Sequence, residues 1–216
     1  MAGLVGLGPR GLPGGARSVS RLGPLDDRFA GPSLAARWHL NGIPTVSVAG
    51  GVLTLTANAR GDGIYQRPAR MPGPARMAAG ARGVHYIAHF TDNDMPAAMV
   101  GLVILDAEGN GAGYSPYGDG NTYLWHVAHW GYAGTGPHSS GRPPLRDYWL
   151  DLHATGAGGY AGRWGTGAWP NIRWEPHARW DVPATQGPVL FGIAAIYGGA
   201  PFPGTCRVSE FRVVAG

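Results

Sequence analysis

The stretch at residues 147–164, DYWLDLHATGAGGYAGRW, constrains the fold more than any other part of the chain. Tyr148, Leu150 and Leu152 alternate with other residues, so they face one side of a β-strand while their neighbours face the other side. The run TGAGG that follows supplies a turn, because glycine adopts positive φ without a Cβ clash. The remaining residues predict a returning strand. The stretch therefore predicts a hairpin near the middle of an antiparallel sheet.

Strand-length apolar segments recur along the rest of the chain. The 38 glycines and 19 prolines are dispersed between these segments, a distribution typical of many tight turns. No apolar spacing of 3.6 residues persists for ten residues, so we expect helix only as an isolated turn or two. About a dozen short strands predict an all-β fold of two stacked antiparallel sheets. The segments other than 147–164 are 45–49, 52–57, 63–67, 81–90, 97–106, 112–117, 121–132, 188–197 and 205–214.

The first 24 residues differ from the rest and predict an extended arm. Large apolar side chains are few in this Gly/Pro-rich stretch, and its collagen-like spacing at residues 8–14 is too short for a triple helix. Ordering each residue costs roughly 1–2 kcal/mol, which so few apolar contacts do not offset. We therefore expect residues 1–24 to dock on a neighbouring subunit, and residues 25–216 to form one β-sandwich domain.

Charge and cysteine content narrow the classes of partner. The formal net charge is +4 and every basic residue is arginine, but no basic cluster marks a nucleic-acid surface. The single cysteine, Cys206, excludes an intrachain disulfide. No apolar run predicts membrane insertion, and no basic leader predicts a signal peptide, so we expect synthesis in a cytoplasm. Charged residues make up 14% of the chain, which favours a protein held in an assembly.

Several short motifs resemble one known family in their order along the chain. The resemblance is to the concanavalin A-like (laminin G-like, glucanase-like) jelly roll, over residues 25–215. It implies a two-sheet jelly-roll β-sandwich, but members of this family include lectins, glycan-binding modules, glycosidases and virion proteins. The motifs are Asp26-Asp27-Arg28-Phe29 followed by Trp38, VSVAGGVLTL at 46–55, Tyr148-Trp149-Leu150-Asp151-Leu152 followed by Gly159-Tyr160, Phe191-Gly192-Ile193-Ala194 and Glu210-Phe211-Arg212-Val213.

The carboxylates do not predict a glycosidase. Enzymes of this family resemble one another in an E-x-D-x-x-E strand, whereas Glu108, Glu175 and Glu210 have no acidic partner at that spacing. Asp147 and Asp151 fall on one face of the predicted strand but about 13 Å apart, too far for a pair of catalytic carboxylates. We therefore expect no enzymatic activity.

The spacing of histidines within a single strand does not predict a metal site. His85 and His89 share a strand face but are too distant to bind one ion, and His126 and His129 fall on opposite faces. We therefore predict no cofactor and no metal ligands, with bound calcium as the open alternative. Its candidate oxygen ligands lie in predicted loops, where the same residues also build turns. They are Asp92, Asn93, Asp94, Asp106, Asn110, Asp119 and Asn121.

Aromatic residues supply the candidate binding site. They are concentrated between residues 114 and 132. In an alternating strand, half of these side chains face outward. Together with residues of the central hairpin, they are predicted to line an open sheet face. Such a face suits stacking on sugar rings, and it suits a protein–protein interface equally well. The candidate glycan- or partner-binding residues are Tyr114, Tyr117, Trp125, His129, Trp130, Trp149, Asp151 and His153.

These observations favour a non-enzymatic structural component of a bacteriophage or phage-like particle, such as a minor tail, fibre or decoration protein. Its partners would be other virion subunits, as a homo-oligomer, and cell-surface carbohydrate, and its location would be the virion. The grounds are a glycan-binding type of fold without a secretion signal, the Gly/Pro arm and the low charge. The alternatives are a carbohydrate-binding module of a bacterial protein and, third, a degenerate glycoside hydrolase.

Overall fold

The computed structural model describes residues 25–59, 61–66, 84–93, 100–117, 121–139, 143–144, 146–155, 159–176, 178–180, 190–196 and 204–215. These residues form fifteen β-strands and contain no helix. The described part of the chain therefore has no helix that could cross a membrane. The strands are β1 (Trp38–Asn41), β2 (Thr45–Ala49), β3 (Val52–Ala57), β4 (Gly63–Gln66), β5 (Val84–Asn93), β6 (Val100–Leu105), β7 (Gly111–Pro116), β8 (Thr122–Ala128), β9 (Gly131–Ser139), β10 (Tyr148–Ala154), β11 (Tyr160–Thr166), β12 (Arg173–Trp174), β13 (Ala178–Trp180), β14 (Leu190–Ala195) and β15 (Gly204–Ala215).

The strands form two antiparallel sheets, which confirms the predicted all-β sandwich. The seven-stranded sheet has the order β1-β4-β14-β6-β7-β8-β9. The eight-stranded sheet has the order β12-β11-β10-β5-β15-β3-β2, with β13 paired to β11. Residues 1–24 lie outside the described residues, so the predicted arm and the domain boundary at residue 25 stay predictions.

The core lies between the two sheets and follows the alternation of the sequence. Tyr148, Leu150 and Leu152 of β10 point into it and are completely buried. β6 is buried on both faces, as expected of a strand that is apolar throughout. Aromatic rings join the sheets across the core: Tyr86 stacks on Phe191 with 4.4 Å between ring centroids. The predicted hairpin at residues 147–164 is confirmed as β10 and β11.

The first described segment is fastened to the last strand. Asp27 and Phe211 exchange two backbone hydrogen bonds of 2.8 Å. The Asp27 side chain accepts a hydrogen bond of 2.8 Å from the indole nitrogen of Trp38, and Phe29 and Trp38 are both buried in the core. The motif that begins at Asp26 therefore closes one side of the sandwich.

The structure corrects one predicted strand. Residues 121–132 are not one long strand, because β8 ends at Ala128 and β9 begins at Gly131. His129 and Trp130 form the turn between them, with φ of 47° and 65°. Two consecutive residues other than glycine rarely adopt positive φ, so the sequence carried no turn signal there. The Gly/Pro/Ser-rich stretch at 133–144 predicts a loop, but β9 continues to Ser139.

Candidate functional site

The outer surface of the seven-stranded sheet carries a cluster of aromatic side chains, which we call the aromatic face. Alternation along β8 turns Leu124 into the core and Tyr123 and Trp125 outward. The five aromatic residues of this face are Tyr117, Tyr123, Trp125, Trp130 and Tyr132.

Trp125 lies at the centre of the aromatic face. Its ring contacts Tyr123, Tyr117 and Tyr132, with centroid separations of 4.9, 5.8 and 5.8 Å. Its indole nitrogen donates a hydrogen bond of 2.8 Å to the Ser115 hydroxyl. Because only 1% of Trp125 is exposed, the residue supports the tyrosines around it.

The tyrosines form the accessible part of this face. Tyr132 is 37% exposed, while Tyr117 and Tyr123 are half-buried. Thr135 is exposed and pairs with Trp125 across β8 and β9, so its side chain lies on the same side of the sheet. The face therefore offers aromatic rings next to a hydroxyl group.

The β8–β9 hairpin bends back over one end of the seven-stranded sheet. The Tyr132 amide donates a hydrogen bond of 2.9 Å to the Ile196 carbonyl, although β6, β7 and β8 separate their strands in the sheet. At the tip of the hairpin, Trp130 packs edge-on against Tyr65, with 5.3 Å between centroids. Gly109, at φ 80°, leaves room for the Trp130 ring, which a Cβ would meet at 2.5 Å.

A second group of chemically active side chains lies on the outer surface of the eight-stranded sheet. His85 of β5 and His153 of β10 are register partners, and Asp151 lies two residues before His153 on the same face. Potential metal-binding atoms of these three side chains all lie within 4.8 Å of one another. We call them the His–Asp cluster.

The carboxylate of Asp151 is the centre of the His–Asp cluster. His85 Nδ1 lies 2.9 Å from both carboxylate oxygens, and His153 Nδ1 lies 3.4 Å from Oδ1. Arg163 Nε of β11 donates a hydrogen bond of 2.7 Å to Oδ2, and its guanidinium lies over the Trp174 ring. The two imidazole rings pack with 4.0 Å between centroids.

The electrostatics of the cluster keep Asp151 ionised. Asp151 is completely buried, and burial alone would raise its pKa. Hydrogen bonds and charge from His153 and His85 more than offset that effect and hold the pKa of Asp151 well below its usual range. The side chains of His85 and His153 are 20% and 13% exposed, so solvent reaches the cluster from the imidazole side.

The structure separates the eight residues predicted to form one site. Tyr117 directly follows β7, Trp125 lies in β8, and His129 and Trp130 form the β8–β9 turn, so these four lie at the seven-stranded sheet. Trp149, Asp151 and His153 lie on the outer face of the other sheet. The prediction that these residues line a single open face is therefore wrong, because the outer faces of two stacked sheets point in opposite directions.

Four of the eight predicted residues are at most 2% exposed, namely Tyr114, Trp125, Trp149 and Asp151. Tyr114 points into the core beside Gly162. Trp149 faces outward, as its alternation predicts, but Trp169 and Ile172 pack against it and leave 2% exposed.

The pairing of His85 with His153 was not predicted from the sequence. Spacing within one strand shows which histidines share a face, whereas His85 meets His153 across two strands. The Asp-Leu-His spacing at 151–153 and a histidine in a neighbouring strand were the available signal, but the register that joins them was unknown.

The described members of the predicted calcium set have partners within the protein. Asp106 accepts hydrogen bonds from the amides of Glu108 and Asn110 and so builds a turn. Asp92 contacts Arg146 and Arg207, and the Asn93 amide donates to Tyr148. The backbone carbonyl of Asn121 accepts from the Tyr117 amide. Asp94 and Asp119 lie outside the described residues, so calcium bound there stays a prediction.

Comparison with known proteins shows the fold. No protein-family model and no curated protein matches the chain. The chain is similar to the GH43 protein BlXynB (K247S) from Bacillus licheniformis, with a TM-score of 0.60 and 13% identity over 88% of this chain and 39% of that chain. It is also similar to an engineered GH43 glycoside hydrolase with endo-xylanase and exo-arabinofuranosidase activity. The TM-score is 0.55, with 18% identity over 96% of this chain and 43% of that chain. The chain therefore spans about two fifths of each GH43 protein.

The exoplasmic/lumenal domain of VIP36, in its Ca²⁺/Man3GlcNAc-bound form, is similar over most of its length. The TM-score is 0.53, with 9% identity over 83% of each chain. At such low identities these similarities show the fold alone. They support the concanavalin A-like jelly-roll sandwich expected from the sequence, and they leave the activity open.

Proposed function

We propose that this domain binds carbohydrate on the aromatic face of its seven-stranded sheet, without hydrolysing it. The observation that carries the proposal is the cluster of tyrosines around Trp125. The fold is also that of the VIP36 domain, whose structure holds the mannose-containing Man3GlcNAc. The proposal replaces the structural role in a particle as the leading function.

The chemistry of the aromatic face suits a saccharide. The C–H groups of a sugar ring stack on the π-surface of an aromatic side chain, and sugar hydroxyls need polar partners beside it. Tyr132 provides the exposed ring, and the Tyr123 ring is partly accessible. Thr135 provides an exposed hydroxyl on the same side of the sheet. Because Trp125 packs against the tyrosines, little conformational freedom is lost when a sugar binds.

The positions of the carboxylates support the proposed absence of hydrolysis. Asp147 lies before β10 at φ 55°, so strand alternation does not extend to it, and Asp151 is completely buried. A glycosidase needs two carboxyl groups on either side of the scissile bond. These two aspartates, on the opposite sheet from the aromatic face, do not meet that need.

Glycan binding by single variants tests the proposal. A glycan array identifies the ligand class, with manno-, xylo- and arabino-oligosaccharides as probes, and calorimetry gives the Kd. Tyr132→Ala removes the exposed ring and is expected to raise the Kd about tenfold, since a ring contact of about 1.4 kcal/mol corresponds to that factor. Tyr132→Phe keeps the ring and is expected to change the Kd by less than about threefold.

Ile43→Ala is the matched control, because Ile43 is a 78% exposed apolar residue outside the aromatic face. It should leave the Kd unchanged. The proposal is wrong if no oligosaccharide binds, or if Tyr132→Ala and Tyr123→Ala leave an observed Kd unchanged. Release of reducing sugar by the unmodified protein would contradict the non-enzymatic part.

A role in a virus particle stays a prediction. It is motivated by the low charge content of the chain and by its predicted arm. None of the three similar structures described above carries a virion protein's name. Electron microscopy of the native source tests it, with location of the protein in a particle as the supporting result.

A further inference from the structure

We propose that the His–Asp cluster binds a divalent transition-metal ion of the Zn²⁺ class, with His85 Nδ1, His153 Nδ1 and Asp151 Oδ1 as its protein ligands. The cluster lies on the outer face of the eight-stranded sheet, opposite the aromatic face. The proposal is therefore independent of carbohydrate binding, and either can fail alone.

The spacing of the donor atoms fits an ion between them. Bonds of about 2.1 Å from a tetrahedral zinc ion place its ligand atoms about 3.4 Å apart. His153 Nδ1 and Asp151 Oδ1 are separated by 3.4 Å, and His85 Nδ1 lies 2.9 Å from the same oxygen. The second imidazole nitrogen is therefore at a ligand–ligand distance from the carboxylate oxygen.

The orientation of the two imidazole rings also favours an ion. Both direct Nδ1 toward the same carboxylate, and the ring centroids lie only 4.0 Å apart. A single divalent ion can contact both nitrogen atoms and the carboxylate at once.

Arg163 is a positioning residue for the site. Its Nε holds Asp151 Oδ2 at 2.7 Å, which fixes the carboxylate plane and leaves Oδ1 for the ion. Trp174 in turn holds the guanidinium, which lies 4.3 Å above the indole ring. The same arginine neutralises part of the carboxylate charge, so the two imidazole nitrogens would supply more of the binding.

The donor set decides the class of ion. Two imidazole nitrogens and one carboxylate oxygen suit Zn²⁺, Co²⁺ or Ni²⁺, whereas Ca²⁺ and Mg²⁺ need mainly oxygen ligands. Three protein ligands leave at least one coordination position for water or a ligand molecule. The partial exposure of both histidines gives that position access to solvent.

Metal titration of tag-free protein, first dialysed against a chelator, tests the proposal. Co²⁺ is expected to bind one ion per chain with visible absorption bands, and Zn²⁺ is expected to displace it. His85→Gln and His153→Gln should each weaken Zn²⁺ binding at least about tenfold, since loss of an outer-shell partner alone costs roughly 10–100-fold. Near-UV circular dichroism verifies that each variant is folded.

His89→Gln is the matched control, because His89 lies on the same strand and face but contacts Ser209 and Trp149. It should bind Zn²⁺ like the unmodified protein. NMR of the histidine side chains in unmodified protein gives a second measurement that needs no variant to fold. Zn²⁺ should shift the imidazole signals of two of the eight histidines. The proposal is overturned if no one-to-one complex with the metal ion forms. It is also overturned if the complex still forms when His85→Gln and His153→Gln are combined, or if Zn²⁺ shifts the signals of other histidines instead.

Discussion

At the scale of single residues, Asp27 uses both carboxylate oxygens inside the fold. Oδ1 accepts a hydrogen bond of 2.7 Å from the Phe29 amide, and Oδ2 accepts one of 2.8 Å from the Trp38 indole. Arg37 contacts Oδ2 at 2.7 Å. The carboxylate therefore orders the chain that leads to the first two large core residues.

Asp27→Asn is expected to lower the free energy of unfolding by about 1–3 kcal/mol. An asparagine has only one acceptor oxygen, so its NH₂ group would face a buried N–H. Urea denaturation followed by tryptophan fluorescence measures the change. The control is Asp92→Asn, whose partners Arg146 and Arg207 are mostly exposed, with an expected loss within about 1 kcal/mol. Equal losses in the two variants would show that the buried hydrogen bonds of Asp27 do not matter.

Individual site residues were predictable from the sequence only where alternation decides their position. Alternation placed Tyr148 in the core and Trp149 outside it, as the structure has them. It did not reveal that Trp169 and Ile172 cover Trp149, because that contact depends on the path of an irregular segment. It also did not pair His85 with His153, since register across strands is set by the whole sheet.

At the scale of elements, β11 approaches the facing sheet closely at Gly162. A Cβ at this position would lie 2.4 Å from the ring of Tyr114. The missing side chain thus makes room for a completely buried tyrosine of β7. The contact fixes the distance between β11 and the seven-stranded sheet.

Gly162→Ala is expected to destabilise the domain by about 1–3 kcal/mol, the usual cost of overpacking a core. Thermal denaturation of the two proteins measures the effect. Gly134→Ala is the matched control in a strand, because a Cβ there meets no atom within 4 Å. A Gly162→Ala protein as stable as the Gly134→Ala protein would mean that Tyr114 moves aside without cost.

Elements with glycine turns were predicted well, and those without them were not. Gly50 and Gly51, at φ 59° and 77°, connect β2 and β3 within the bounds predicted from the sequence. The β8–β9 hairpin was missed because His129 and Trp130 occupy positive φ there. Tertiary contacts hold that turn: the Trp130 amide donates a hydrogen bond of 3.0 Å to the Gly109 carbonyl.

At the scale of the whole molecule, buried tyrosines make the stability of the fold depend on pH in the alkaline range. Burial raises the pKa of Tyr65, Tyr86 and Tyr148 well above the usual value near 10. A charge on Asp62 also raises the pKa of Tyr65, and Tyr160 does so for Tyr86. For an acid whose folded pKa is raised, the stabilising contribution is present below the unfolded pKa and is lost as pH rises above it.

The domain is therefore expected to lose stability as the pH rises above about 10. In an alkaline titration, Tyr65, Tyr86 and Tyr148 should ionise only when the protein unfolds. Ultraviolet absorbance of tyrosinate, followed together with near-UV circular dichroism, measures both events. Full ionisation of all nine tyrosines in a protein that keeps its near-UV spectrum would contradict the prediction.

The position of β15 determines when this molecule can fold during synthesis. β15 is the last of the fifteen strands, yet it lies inside the eight-stranded sheet, between β5 and β3. Until residues 204–215 leave the ribosome, β2–β3 and β5–β10–β11 are two separate fragments with unpaired edges. Such edges are templates for pairing with other chains. We therefore expect the eight-stranded sheet to be completed only after β15 has been translated.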